Sequence, residues 1–378
     1  MIYLDNAATS MPKPQAVIEA MTRAAQTMAS PGRGSSPATQ GAEEVLYELR
    51  HEAEVLFDCP MEQVVLTTSA THGLNIAIKS LTGPGDRVVI SPMEHNAVTR
   101  PLYALGAKIA VASSPLFDDE QLIAAFDRQL TPDTAACVMT HVSNVFGWEL
   151  PVAEVAEMCH RRNIPFVLDA SQSAGVLPVS MAQLHAAFIA MPGHKCLFGP
   201  QGTGLLLCNH DTKTLIEGGT GSVSRQQEMP DFLPDRLEAG TQNIPGAAGL
   251  LAGLRQLRRE GTASRLEREK QLCGLLKEEL QNIPGVRTFT GKSQAGVLSF
   301  TVEGVDSILL GEALSRRGIA QRAGLHCAPL AHETAGTIET GTIRLSPGPN
   351  NTPEEIVLCS TALRACLRER DFAPAPFV

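Results

Sequence analysis

The chain lacks several features that would place it in a specialised class. No apolar run approaches the ~18–20 residues a bilayer-spanning helix needs, and mean hydropathy is near zero, so no membrane anchor is expected. No basic run occurs, and the formal net charge of −9 argues against non-specific binding of nucleic acid. The opening residues Met1-Ile2-Tyr3-Leu4-Asp5-Asn6 have no basic segment ahead of an apolar one, so a secretory signal is not expected. Nine cysteines are present, but none forms a C-x-x-C pair. That argues against a structural metal site or a disulfide framework. An odd, scattered set of thiols fits a reducing compartment, and the expected location is the cytoplasm. No internal repeat or low-complexity segment is found.

What remains is an ordinary globular composition, with 43% hydrophobic and 19% charged residues over 378 positions. This length suffices for two domains with substantial cores. Strand-like runs alternate with helical patterns through the first two thirds. The strands are Gln63–Thr67, Arg87–Ser91, Thr134–Thr140, Pro165–Asp169 and Ala187–Met191, and helices are expected over Gly41–Asp58, from Ala70 to about Leu81, and over Val152–Arg162. Repeated β–α units imply an α/β fold with a mainly parallel sheet. Beyond a helix starting near Gly246, the patterns Ala263–Asn282, Val286–Phe289, Gly296–Val302, Ser307–Arg317, Thr342–Ser346 and Pro353–Arg370 make a smaller α+β unit. The expected division is an N-terminal arm (1–15) joining the small domain, a large domain (16–250) and a small domain (251–378). The tail Ala373-Pro374-Ala375-Pro376 reads as an extended arm.

One stretch organises the rest. Lys195 sits in the loop Pro192–Gly204, between two apolar runs and among glycines. Lysine is rarely buried without a partner, and a covalent bond to a carbonyl removes its charge, so this residue reads as a Schiff-base lysine. A solvated loop lysine beside structural glycines is the bland alternative. A phosphate-cradling P-loop fails because no Lys-Ser/Thr follows the last glycine. Ala70 and Thr71, His95, Asn144, Asp169 with Gln172, and Lys195 all fall just beyond the carboxyl ends of expected strands. Open α/β sheets bind ligands along that edge.

Asp169 ahead of Lys195 is the pairing that pyridoxal 5'-phosphate needs: a carboxylate to keep the pyridine nitrogen protonated and an amine to hold the aldehyde. Thr71 and the free N–H groups of the helix beginning at Ala70 can bind the phosphate. His95 can stack on the ring and move protons. Asn144 and Gln172 can hold the ring oxygen, and His194 can add a phosphate contact. Singly, Asp169 and Thr71 also read as helix caps and His95 as a satisfied loop histidine.

With these residues placed, the chain resembles the class-V aminotransferase-like enzymes of pyridoxal-phosphate fold type I. Within them it is similar to the cysteine desulfurase and selenocysteine lyase group. The text that carries the resemblance is LDNAATS near the start, TSATHGLN (68–75), EHN (94–96), SNVFG (143–147), LDASQ (168–172), GHKCLFGPQGTG, RLEAGTQN, RAGLHCAPL and TIRLS, in family order over nearly the whole chain. The resemblance implies a homodimer with its active site at the subunit boundary, where Thr241 in RLEAGTQN reaches the partner's cofactor phosphate. It places Cys327, in RAGLHCAPL, where the short-loop desulfurases carry a persulfide-forming cysteine. It also makes Ala8, Asn144, Arg322 and Arg344 the substrate-binding residues, with Arg344 as a bidentate carboxylate clamp.

The implied reaction converts L-cysteine to L-alanine. Lys195 removes the Cα proton, and Cys327 takes the sulfur for transfer to an acceptor protein. Leu325 stands where many relatives carry a second histidine, and Pro347-Gly348-Pro349-Asn350 replaces the more usual aromatic. Both departures bear on substrate choice and leave the cofactor residues untouched. The alternatives are a related aminotransferase or selenocysteine lyase that does not use Cys327 on cysteine and, more remotely, a cofactor-less binding protein of the same fold.

Overall fold

The computed structural model describes residues 1–32 and 34–370; the tail read as an extended arm, 373–376, lies outside the described residues. In chain order the strands are β1 (Ile2–Tyr3), β2 (Val64–Thr67), β3 (Arg87–Ile90), β4 (Lys108–Val111), β5 (Thr134–Thr140), β6 (Phe166–Asp169), β7 (Phe188–Pro192), β8 (Gly204–Cys208), β9 (Val286–Phe289), β10 (Leu298–Val302), β11 (Ile319–Ala320), β12 (Arg322–Gly324) and β13 (Thr342–Leu345).

A seven-stranded sheet has the order β2-β8-β7-β6-β5-β3-β4. Only β8 runs against its neighbours, so the mainly parallel α/β architecture is observed. The strands are apolar on both faces, as a sheet covered on both sides requires. Val88 and Ile90 of β3 face one core with Leu74, Ile78 and Leu102, whereas Val89 faces the opposite core with Leu49, Phe126 and Leu254. Gly73 lets helix Ala70–Leu81 lie close on this sheet, since a Cβ there would stand 3.3 Å from Ala190 Cβ and 3.4 Å from Leu206 Cβ.

Helix Pro37–Phe57 begins earlier than its apolar spacing suggests. Ser36 caps it by accepting the Thr39 N–H, and Pro37 occupies the first turn, where its missing N–H costs nothing. Five helices, Gln15–Thr27, Asn96–Leu105, Asp119–Gln129, Met181–Leu184 and Pro329–Ala335, and strands β4, β11 and β12 were not anticipated. Asn96–Leu105 carries Pro101 inside it, a residue that argues against a helix in sequence alone.

The smaller unit packs an antiparallel sheet, β12-β13-β10-β9, against helices Thr262–Gln281, Ser307–Arg316 and Pro353–Glu369. The N-terminus belongs with it: β1 pairs with β11, and Asp5 bridges to Ser346. Helix Ile244–Glu260 spans residue 250, and its apolar residues through Leu257 share the core of the large sheet. The small unit's own core, apart from Leu4 of the arm, starts at Leu272 on the following helix. We therefore propose the division at Gly261, between the two helices, in place of residue 250.

Candidate active site

The strand ends converge as expected. A cavity of about 180 Å³ is lined from β2 and its helix by Ser69, Ala70 and Thr71, and from β3 by His95 and Ala97. Thr140, Val142 and Asn144 come from β5, Asp169, Ser171 and Gln172 from β6, and Pro192, His194 and Lys195 from β7. The sequence singled out eight of these: Ala70, Thr71, His95, Asn144, Asp169, Gln172, His194 and Lys195. Thr140 and Ser171 were not singled out, although the same strand-end rule points to both.

Lys195 rides on the hairpin between β7 and β8, and the loop is braced from behind. Gly193 N–H donates to the Thr203 carbonyl, and Phe198 N–H to the Lys195 carbonyl. Gly253 lets helix Ile244–Glu260 press on the loop, for a Cβ there would fall 2.2 Å from the Leu197 carbonyl oxygen. Arg265, from the small unit, donates to the carbonyls of Gly175 and Cys196 and stacks its guanidinium over Phe198. Among the described residues the Lys195 amine has no hydrogen bond or ion pair. Burial lowers its pKa to about 8, against the opposing pull of the Asp169 carboxylate. An amine in that range is partly neutral near physiological pH, which nucleophilic attack on an aldehyde requires.

Asp169 is 2% exposed, and its Oδ1 accepts the Ser171 N–H at 2.9 Å. His95 is fixed as a tautomer. Its Nδ1 accepts the Ala97 N–H at 3.0 Å, capping helix Asn96–Leu105, so the proton of the neutral ring sits on Nε2. Burial holds its pKa below the ordinary value. Gln172 Nε2 donates to the Ala7 carbonyl at 3.0 Å, which leaves its Oε1 for other partners. Asn144 Nδ2 is committed to the His326 carbonyl at 2.7 Å. The side chain therefore ties the Cys327 loop to the end of β5, a link that the reading as a ring-oxygen contact did not include.

The donor set fits pyridoxal phosphate. Helix Ala70–Leu81 starts at the cavity; its cap Ser69 takes the His72 N–H, and the N–H groups of Ala70 and Thr71 have no partner among the described residues. His194 Nδ1 is buried and unpaired among the described residues, and burial with the nearby Lys195 and Lys13 charges lowers its pKa to about 4. Unpaired donors at a helix N-terminus suit a phosphate, and an unpaired amine beside a buried carboxylate suits the aldehyde and pyridine ends.

Five residues of the expected set do not line this cavity. Ala8 lies on the arm, where Thr9 Oγ1 and Ser10 N–H bond the His194 carbonyl. Thr241 lines a separate cavity of about 140 Å³ with Thr68, His72 and Glu238. Arg344 and Arg322 share one carboxylate. Arg344 Nη2 meets Asp5 Oδ1 at 2.7 Å, and Arg322 Nη2 meets Asp5 Oδ2 at 3.1 Å. Arg344 also donates to the Asn144 carbonyl at 2.9 Å, and its Nε is buried without a partner among the described residues. Asp5 was not singled out as a site residue, because its partners lie more than 300 residues away.

Cys327 is exposed, whereas seven other cysteines are buried and Cys196 is half-buried. Its loop is short, running from β12 to helix Pro329–Ala335. His326 and Cys327 both adopt left-handed backbone, φ 49 and 59, which is uncommon for residues with a Cβ. The Asn144 side chain holds the His326 carbonyl, and the Asn96 N–H holds the Cys327 carbonyl at 2.7 Å. The thiol-bearing turn is thus fastened to two segments that line or adjoin the cavity.

Residues 2–358 match the family model for aminotransferase class-V, and the chain belongs to that family. Its similar relatives there are cysteine desulfurases. One is a "Probable cysteine desulfurase" of Xylella fastidiosa, 34% identical, with 96% of this chain and 90% of the relative aligned. A "Cysteine desulfurase" of Synechococcus elongatus is 33% identical over 96% of this chain and 60% of the relative. Among solved structures, the apo cysteine desulfurase of Thermococcus onnurineus superposes with a TM-score of 0.88 at 28% identity, covering 97% of this chain and 95% of that one. The cysteine desulfurase CsdA of Escherichia coli gives 0.85 at 26%, covering 97% and 94%.

Proposed function

We propose that this chain is a pyridoxal-phosphate-dependent cysteine desulfurase that converts L-cysteine to L-alanine and leaves the sulfur as a persulfide on Cys327. The observation that carries the reading is the unpaired Lys195 amine in one cavity with Asp169 and the unpaired N–H groups of Ala70 and Thr71. Bound there, the cofactor supplies an electron-withdrawing ring that acidifies the substrate Cα. Ala70, Thr71 and His194 would hold its phosphate, Asp169 its ring nitrogen, and the second N–H of the Asn144 and Gln172 side-chain amides its ring oxygen. His95, its Nδ1 fixed by the Ala97 N–H, would present Nε2–H to the cofactor ring, and Lys195 Nζ would move the Cα proton. Cys327 Sγ bonds to the substrate sulfur as the substrate Cβ–S bond breaks. The products balance: cysteine and a thiol become alanine and a persulfide.

Arg344 and Arg322 bring two positive charges against the single Asp5 carboxylate, and the net charge left over suits one substrate carboxylate. Work as a homodimer, with Thr241 serving the partner's phosphate, agrees with its place in a cavity outside its own chain's site. An exposed Cys327 suits hand-over to an acceptor protein in the cytoplasm. Mass spectrometry after incubation with cysteine tests the reading: wild type gains one sulfur on Cys327, and Cys327→Ala loses alanine production. Because Cys327 does not line the cavity, the second reading is an aminotransferase or selenocysteine lyase that bypasses this thiol. Alanine formed from cysteine at the parental rate by Cys327→Ala would refute the Cys327 route and leave a mechanism that bypasses this thiol.

A further inference from the structure

Glu94, in the EHN segment, is a charged residue type with no exposure at all, and nothing above uses it. It lies between β3 and His95. Its Oε1 accepts the Ser91 hydroxyl and, at 2.8 Å, the N–H of Thr140, the last residue of β5. Thr140 is the register partner of Asp169 on β6. The other oxygen, Oε2, is buried with no partner among the described residues. No lysine or arginine bonds to Glu94 among the described residues. The titratable groups facing it are Asp169 from β6 and Cys137 from β5, with His95 next in the chain. Cys137 is itself pushed well above the ordinary thiol value by burial.

A fully buried carboxylate with one oxygen unpaired, no cation and a second carboxylate nearby is the arrangement that a proton relieves. We infer that Glu94 is a positioning residue of this site, a neutral acid that ties the His95 turn to the end of β5 and keeps a second negative charge away from Asp169. The inference rests on the pyridoxal-phosphate reading for its consequence, but its physical core concerns the protein alone. Ionised, Glu94 would put a second negative charge behind Asp169 and strain the turn that aims His95. Neutral, it keeps both hydrogen bonds and spares the site that charge.

Burial, with the Asp169 charge adding to it, raises the Glu94 pKa from 4.5 to about 8. An acid raised on folding makes the fold lose stability as pH climbs from the unfolded value to the folded one, with no further change above it. The experiment compares wild type, Glu94→Gln and Glu94→Ala as cofactor-free full-length chains, by thermal melting from pH 5 to 9 and by the infrared carboxylic-acid stretch. Glu94→Gln is expected to gain melting temperature over wild type progressively up to about pH 8, and to lack an acid stretch that wild type shows at pH 7. A pH-independent difference, with no acid stretch assignable to Glu94, overturns the inference whether or not the cofactor reading holds. After loading with pyridoxal phosphate, Glu94→Ala is expected to have an altered cofactor absorbance that Glu94→Gln restores. If Gln fails as Ala does, a charge is needed at this position and the positioning role is refuted. If even wild type takes up no cofactor, the functional reading fails while the melting result still stands.

Discussion

Replacing Lys195 by Met removes a charge while keeping an unbranched chain of similar volume, so the variant isolates the cost of burying the amine. Lys195 titrates near 8 in the fold against an ordinary lysine value of 10.5. A pKa lowered on folding means that the unfolded chain holds the proton more tightly. Wild type is therefore penalised most below the folded value, and the penalty is relieved as pH rises from about 8 to 10.5. At about 1.4 kcal/mol per pH unit, the full penalty is roughly 3 kcal/mol. The amine borders a cavity that admits water, which makes this an upper bound. With an unfolding entropy of about 2 cal/mol/K per residue, 3 kcal/mol corresponds to about 4 °C in a chain of this length.

The assay is thermal melting of the cofactor-free proteins from pH 6.5 to 10.5. Lys195→Met should melt up to about 4 °C above wild type near pH 7, and the two curves should converge toward the alkaline end. A gap that stays constant across that window would show that the amine is not depressed by its surroundings. The reading of Lys195 as a ready nucleophile would then lose its physical basis.

Other perturbations probe the frame around the site. Asp5→Ala strips the buried Arg344 of its counter-ion and should cost about 3–5 kcal/mol, measured by denaturant unfolding; a loss below 1 kcal/mol would mean water already screens the pair. Gly253→Ala forces a methyl onto the Leu197 carbonyl and should cost about 1–3 kcal/mol, with reduced cofactor uptake because the Lys195 loop shifts. Unchanged uptake would free that loop from the helix. Asn144→Ala removes the tether to the His326 carbonyl. It should lower stability by only about 1 kcal/mol but slow sulfur transfer to Cys327 more than it weakens substrate binding, read from single-turnover persulfide formation against KM. A loss confined to KM would place Asn144 on the substrate alone.

The residues that line the cavity were legible from the chain alone because each follows a rule local in sequence. A buried parallel strand is a short apolar run, and whatever follows it lands on one edge of the sheet. Asp169, Lys195, His95 and the Ala70–Thr71 helix start were found that way. The helix Asn96–Leu105 was hidden by Pro101, and the start of Pro37–Phe57 by a cap that outweighs apolar spacing.

What only the tertiary structure decided are the pairings between distant segments. Asp5 between Arg322 and Arg344, Asn144 on the His326 carbonyl, and Glu94 on Thr140 each join groups far apart along the chain. Nothing in local propensity or periodicity encodes such partners. A buried charge takes whichever counter-group the fold brings within reach, and that choice exists only once the cores have closed.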